Sequence, residues 1–226
     1  IVKECQVIDQ EKEKAVQSAE KGKTEIEKLV SDAVGKGKKE KISTLFEINP
    51  NTYNPTTKPD DTFTYVDIDA VGKGTGIISY NNKVLGKDAP SRARRIAEKG
   101  NFIISSVRPY LKGFAYIDKD VSDCVFSTGF FVLNSKDEKV ILNKIMFYAF
   151  MYFEPLMKQI EAKMGKGQYP SINKTDLDNL TISVININDQ KKIIKSIEKQ
   201  EKEIEKSREI INGIAERKQM VLTKYL

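Results

Sequence analysis

Four of the six arginines, Arg92, Arg94, Arg95 and Arg108, fall within one short window of the chain. Lys87, Lys99 and Lys112 join them, opposed only by Asp88 and Glu98. A second basic group, Lys158, Lys163 and Lys166, leads into the loop GKGQYPS. A guanidinium can bond guanine bidentately and can also clamp a phosphate. Lysine adds phosphate attraction that is blind to sequence. Gln168 could pair with adenine through two bonds. Tyr110 and Tyr169 could pack on sugars or thymine methyls, and the hydroxyls of Ser91, Ser105, Ser106 and Ser171 could reach phosphates. The candidate nucleic-acid contacts are therefore Lys87, Ser91, Arg92, Arg94, Arg108, Tyr110, Lys112, Lys163, Lys166, Gln168 and Tyr169. The competing reading is ordinary solvated charge, because basic clusters are common and none of these spacings is as specific as a zinc finger.

Other motifs carry less. VGKGTG at 71–76 lacks the terminal Lys-Ser/Thr of a phosphate-binding loop and reads as a turn between two strands. INPNTYNP lacks the second proline of an Asn-Pro-Pro-Tyr methyltransferase motif, and no AdoMet-binding strand-glycine-helix unit precedes it. Asp67 and Asp69 alternate with Val66 and Ile68 and are expected to face water along a strand. The chain has no histidine, which removes the Ser-His and Cys-His nucleophile arrangements and the commonest general base. Two distant cysteines, Cys5 and Cys124, make no zinc set. They read as reduced thiols of a cytoplasmic protein. No residue is assigned a catalytic or metal-ligating role.

The basic window needs a scaffold, and the pattern supplies one. TFTYVDIDAV, TGIISY, NFIISSV, GFAYI and CVFSTGFFVLN read as strands. EKVILNKIMFYAFMYFEPLMKQIEAKMG reads as helix, bent or broken at Pro155. NKTDLDNLTISVI reads as a short helix followed by a strand. EKISTLFEI is a short helix entered through a flexible basic linker, GKGKKEK. The boundaries drawn are 1–39 for an N-terminal helix and linker, 40–188 for a mixed α+β domain, and 189–226 for a long C-terminal helix. No run of about 18 apolar residues suggests a membrane span.

Both flanking helices carry a narrow seam. In the first, Ile1, Cys5, Ile8, Lys12, Ala15, Ala19, Gly22, Ile26, Leu29 and Ala33 step alternately by four and three. In the last, Ile193, Ile197, Gln200, Ile204, Ser207, Ile211, Ile214, Lys218 and Val221 do the same. This is the 3.5-residue repeat of a coiled coil. Ile193, Ile197, Ile204, Ile211, Ile214 and Val221 are the expected pairing residues. The last helix alone would be about 55 Å long and needs a partner: the N-terminal helix, the same helix of a second copy, or another subunit. Asn188 or Asp189 is expected to cap it.

The order of parts resembles a known family. ISTLFEINP, YVDIDAVGKGTGIISY, ARRIAEKGNFIISSVRPYLKGFAYI and GKGQYPSINKTDLDNLTISVI run straight into the long helix that begins NDQKKIIKSIEKQ. This is similar to a target-recognition domain with helical spacer of a type I restriction–modification specificity subunit. The family's Gly-Asp-Ile-Leu strand stands here as Gly100-Asn101-Phe102-Ile103, and its Gln-containing helix start as Gln190. The opening segment IVKECQVIDQEKEKA resembles the tail joining an adenine methyltransferase to such a domain, and a chain opening on Ile1 reads as a piece of a longer or processed protein. The resemblance implies an α+β recognition domain between coiled-coil helices that reads double-stranded DNA. It implies no cofactor in this chain, with S-adenosylmethionine held by a partner methyltransferase subunit or domain. It also implies a restriction subunit where the system has one. With only one recognition domain, the chain resembles a half-subunit that forms a homodimer through its long helices and reads a bipartite target. The rivals are a self-sufficient nuclease or methyltransferase, against which the missing histidine and AdoMet motif count, and a coiled-coil adaptor that binds protein only.

Overall fold

The two seams fold as two long helices, α1 (Val2–Val34) and α6 (Ile187–Thr223). The computed structural model describes residues 1–165 and 170–225. It divides into one unit of 1–29 with 191–226 and a second of 30–190.

In the first unit α1 and α6 pair antiparallel inside one chain, the first of the three pairings the seam allows. Lys218 Nζ lies 2.6 Å from Asp9, Arg217 Nη1 lies 2.7 Å from Glu11, and the Tyr225 hydroxyl donates to Glu4 at 2.6 Å. The small residues of α1 let α6 come close: a Cβ on Gly22 would sit 2.9 Å from Ile204 Cγ1. Ile8, Ala15, Gly22 and Ile26 are buried on α1, as are Ile197, Ser207 and Ile214 on α6. Ile193, Ile204, Ile211 and Val221 are half-buried. None of the six expected pairing residues is fully exposed.

The second unit holds the sheets. Its elements are β1 (Lys39–Lys41), α2 (Ile42–Leu45), β2 (Phe46–Ile48), β3 (Thr62–Val66), β4 (Lys83–Leu85) and β5 (Ala93–Arg95). Next come β6 (Phe102–Ser105), β7 (Phe114–Tyr116), β8 (Cys124–Ser127) and β9 (Phe130–Ser135). Then follow α3 (Asn143–Tyr152), α4 (Glu154–Lys163), α5 (Lys174–Asp178) and β10 (Thr181–Ser183). One four-stranded sheet is antiparallel, in the order β2-β9-β6-β7; the other four-stranded sheet, β4-β3-β8-β5, pairs β3 with β8 in parallel, and β1 with β10 makes a separate two-stranded sheet. Strand β6 is buried on both faces, which explains its unbroken run Phe102-Ile103-Ile104. Ile103 joins Val66, Phe126, Phe130 and Val132 in a core fed by both sheets. Phe102 turns the other way, 5.6 Å from Phe46 and 5.9 Å from Phe150 of α3. Helix α3 is buried almost throughout. The break at Pro155 is real: α3 stops at Tyr152 and α4 starts at Glu154, with proline at its first turn.

Four local expectations are corrected. The linker GKGKKEK is not free along its length, because Lys39–Lys41 pair with β10. TGIISY is not a full strand. Gly74 and Gly76 adopt positive φ, and only a Val71–Ile78 bridge closes the hairpin. Asp67 and Asp69 do not alternate along a strand. Asp67 caps a 3-10 turn at 68–70 by accepting from the Ala70 N–H at 3.0 Å. The cap of α6 is Asn186, whose Oδ1 accepts from Asp189 N at 3.1 Å; Asn188 and Asp189 lie inside the helix.

Candidate nucleic-acid interface

Arg92, Arg108 and Lys73 come from three separate segments and line one open cavity of about 500 Å³. Ile68, Val71, Val107 and Leu111 also line it, with Asp69 as its one carboxylate. Lys73, Arg92 and Asp69 are exposed, whereas Arg108 is half-buried.

The backbone around Arg108 is held in an unusual state. Arg108 and Lys112 both lie in the left-handed region, with φ +46 and +53, and bracket a 3-10 turn at Pro109–Leu111. For a side-chain-bearing residue that conformation costs about 1–2 kcal/mol, and a following proline further disfavours the helical region. The surroundings enforce it. Arg108 N donates to Pro170 O at 2.7 Å, Leu111 N donates to Arg108 O at 2.9 Å, and Val107 bridges Ser171. Strain of this kind persists where the surrounding structure over-determines it.

The opposite wall is VGKGTG. Thr75 N and its hydroxyl both donate to Gly72 O, and Gly74 N donates to Lys112 O at 3.0 Å. The glycine turn is thereby fixed to the Arg108–Lys112 turn, with Lys73 at its tip. This stretch lacks a phosphate-loop signature and reads in the sequence as a plain turn. The usable signal was a lone lysine between two glycines in a turn.

The remaining candidates divide. Lys87 and Ser91 are exposed. Lys87 sits on a turn at 86–88 that packs tightly: a Cβ on Gly86 would meet the carbonyl oxygens of Lys58 and Pro55 at 2.0 and 2.6 Å. Tyr110 is 42% exposed on the 109–111 turn. Arg94 is half-buried and donates from Nη1 to Ala93 O at 2.7 Å. Lys112 is half-buried and its ammonium bonds Met151 O at 2.6 Å, which secures the end of α3. Lys163 is half-buried in the last turn of α4. Lys166, Gln168 and Tyr169 lie outside the described residues. Arg95, a member of the basic window, is half-buried, with no hydrogen-bond partner for Nε and burial pulling its pKa down.

Three further polar groups have structural work. Gln190, 1% exposed, accepts from Leu142 N and donates to Val140 O and Ile185 O at 2.8–3.0 Å. It satisfies three backbone groups at the start of α6. Asn101 Oδ1 accepts from Glu98 N at 2.9 Å beside Gly100, whose φ is +95; asparagine serves that turn as an acid would. Asp123 accepts from Lys83 at 2.7 Å and from Thr64 at 3.1 Å, and its pKa is lowered to about 2, mainly by the Lys83 bond. Burial pushes the neighbouring Cys124 thiol up to about 12.

Among the described residues, no helix is long and apolar enough to cross a membrane, and no cluster of three or more His, Cys, Asp or Glu could hold a metal.

A family model described as the type I restriction modification DNA specificity domain matches residues 36–216. The chain belongs to this family. The HindI specificity subunit of Haemophilus influenzae, from a type I restriction enzyme, is 27% identical over 138 residues, covering 58% of this chain and 30% of that protein. The HsdS subunit of Thermoanaerobacter tengcongensis superposes with a TM-score of 0.70 at 25% identity, over 83% of this chain and 47% of that one. The type I S subunit of M. genitalium shares the fold, with a TM-score of 0.57 at 13% identity, over 97% of this chain and 58% of the other. The chain therefore spans about half the length of the solved relatives it matches, and less of the curated one. The α+β specificity domain between long helices is the architecture the sequence pattern implied.

Proposed function

We propose that this chain is a DNA-reading half of a type I specificity subunit. In this reading the second unit recognises one half-site of a double-stranded target, and the paired helices α1 and α6 act as a spacer. The observation that carries it is the convergence of Arg92, Arg108 and Lys73 on one cavity, opposed by Asp69 alone. An arginine held on a strained, over-determined turn, as Arg108 is, suits a base contact, whereas exposed cations such as Arg92 and Lys87 suit phosphates.

Two copies would supply two reading heads. Because the α1/α6 seam closes within one chain, a homodimer would use the outer surfaces of the helix pair. Val2, Val7, Met220 and Leu222 are exposed there. A two-fold dimer would read inverted half-sites separated by a gap that the helices set. The chain itself performs no chemistry. A partner methyltransferase holding S-adenosylmethionine would methylate adenine at the site so chosen, in the cytoplasm, and a restriction subunit would cut where the system has one.

The test combines this chain with a type I methyltransferase subunit, S-adenosylmethionine and plasmid DNA, and maps modified bases. Methylation at discrete bipartite sites that vanishes without this chain supports the proposal. Methylation indifferent to the chain refutes it. Sedimentation of the chain alone decides between monomer and dimer.

A further inference from the structure

The cavity has a shape and chemistry that contact with a duplex backbone does not require. A phosphate needs cations and N–H donors. Here Arg92 and Lys73 are exposed, while Val71 is buried and Ile68, Val107 and Leu111 are half-buried in the same lining. Val71 is only 2% exposed, and the Ser105 hydroxyl is already bonded to Val107 O at 2.7 Å. The interior therefore offers apolar contact and little polar capacity. At about 500 Å³ the volume falls in the range of sites that take small organic ligands. An occupant matched to it is anionic at one end and flat and apolar at the other.

We infer that the cavity takes a single unstacked nucleotide of the bound DNA, with its base against the apolar walls and its phosphate at Arg92 and Lys73. This rests on the DNA-recognition reading above and extends it from groove contact to capture of one base. Arg108 can lie over the base face, as guanidinium groups do on planar rings. Asp69 can accept from an exocyclic amine, which favours cytosine, adenine or guanine over thymine. The Gly74 to Lys112 hydrogen bond fixes the lysine-bearing wall relative to the arginine-bearing one, so the site is built before the ligand arrives. Protein groups of this kind recognise unstacked bases by stacking and edge contacts.

The experiment uses the full chain with isotope-labelled Ile, Leu and Val methyls, followed by NMR. Deoxynucleoside 5′-monophosphates, inorganic phosphate and a random-sequence duplex are titrated separately, and the duplex is then added to the nucleotide-saturated protein. The inference expects monophosphates to move the methyls of Ile68, Val71, Val107 and Leu111, phosphate alone to leave them still, and duplex to displace the monophosphate. Arg92→Ala or Lys73→Ala should weaken the monophosphate about tenfold with unchanged melting. Asp69→Ala, which removes the acceptor, should erase the preference over thymidylate. Still methyls throughout, or equal shifts with phosphate, overturn the inference. Duplex that binds without displacing the nucleotide overturns it too, while DNA recognition stands. Nucleotide binding with no duplex binding overturns both, leaving a site for free nucleotide.

Discussion

Arg108 offers a way to separate a residue's work for the fold from its work for DNA. Its φ of +46 places it in the left-handed region, immediately before Pro109. Two variants, Arg108→Ala and Arg108→Gly, both delete the guanidinium and its packing, so those losses cancel when the two are compared. Alanine keeps the cost of left-handed backbone, about 1–2 kcal/mol, which glycine does not bear. Glycine in turn loses about 0.5–1 kcal/mol through its freer unfolded chain. The glycine variant should therefore be the more stable by about 0.5–1 kcal/mol, which in a chain of this size is a melting point roughly 1–4 °C higher. DNA affinity should behave differently. Each variant should lose about 1–3 kcal/mol of binding, equally, with relaxed specificity at one position. Calorimetry and fluorescence anisotropy on the same preparations read both quantities. Equal melting points would refute the strain argument. Arg108→Gly binding as tightly as wild type would refute the role of the guanidinium.

Gly86→Ala should destabilise by several kcal/mol and shift the Lys87 turn, because its Cβ would meet backbone carbonyl oxygens that cannot give way; thermal melting checks it, and a neutral result contradicts the packing. Ile214→Asp puts a charge at a seam position only 6% exposed and should open the helix pair, seen as lost helical ellipticity, whereas exposed Met220→Asp should not. The Asp123 carboxyl has a folded pKa lowered to about 2, mainly by Lys83. A depressed acid stabilises the fold above its unfolded pKa and stops doing so as pH falls through the folded value. Asp123→Asn should therefore be less stable than wild type at pH 7, with the gap closing between about pH 4 and pH 2; a pH-independent gap would show that the pair is not ionic. Asp123 is more than half exposed, so the gap is expected to be small.

The helices were the most legible part of the sequence, because a 3.5-residue repeat is a one-dimensional signal that names its own buried residues. Ile8, Ile26, Ile197 and Ile214 all lie under the seam. What the repeat leaves open is which helix answers it. That depends on ion pairs such as Asp9–Lys218 and on the small face of Gly22, which gain meaning only once the chain has folded back. In the sheets, apolar runs marked β6, β8 and β9, but the parallel pairing of β3 with β8 joins residues some sixty positions apart, and no local pattern announces it. The basic window was visible as composition. Its sorting was not: Arg92 faces the cavity, whereas Arg94 and Lys112 are engaged with backbone carbonyls. Lys73 and Asp69 read in the sequence as part of a plain turn and as a water-facing strand residue, because what brings them beside Arg108 is spatial, a glycine turn tied by one hydrogen bond to a strained arginine turn.

Binding to duplexes selected from a randomised pool, compared with the unselected pool across salt, tests sequence-selective DNA reading most directly. The account expects log affinity to fall linearly with log salt, at a slope of about −0.9 for each phosphate neutralised. It also expects selected duplexes to bind at least about a thousandfold more tightly than the pool. A flat salt response, or a selection that enriches no sequence, would contradict it.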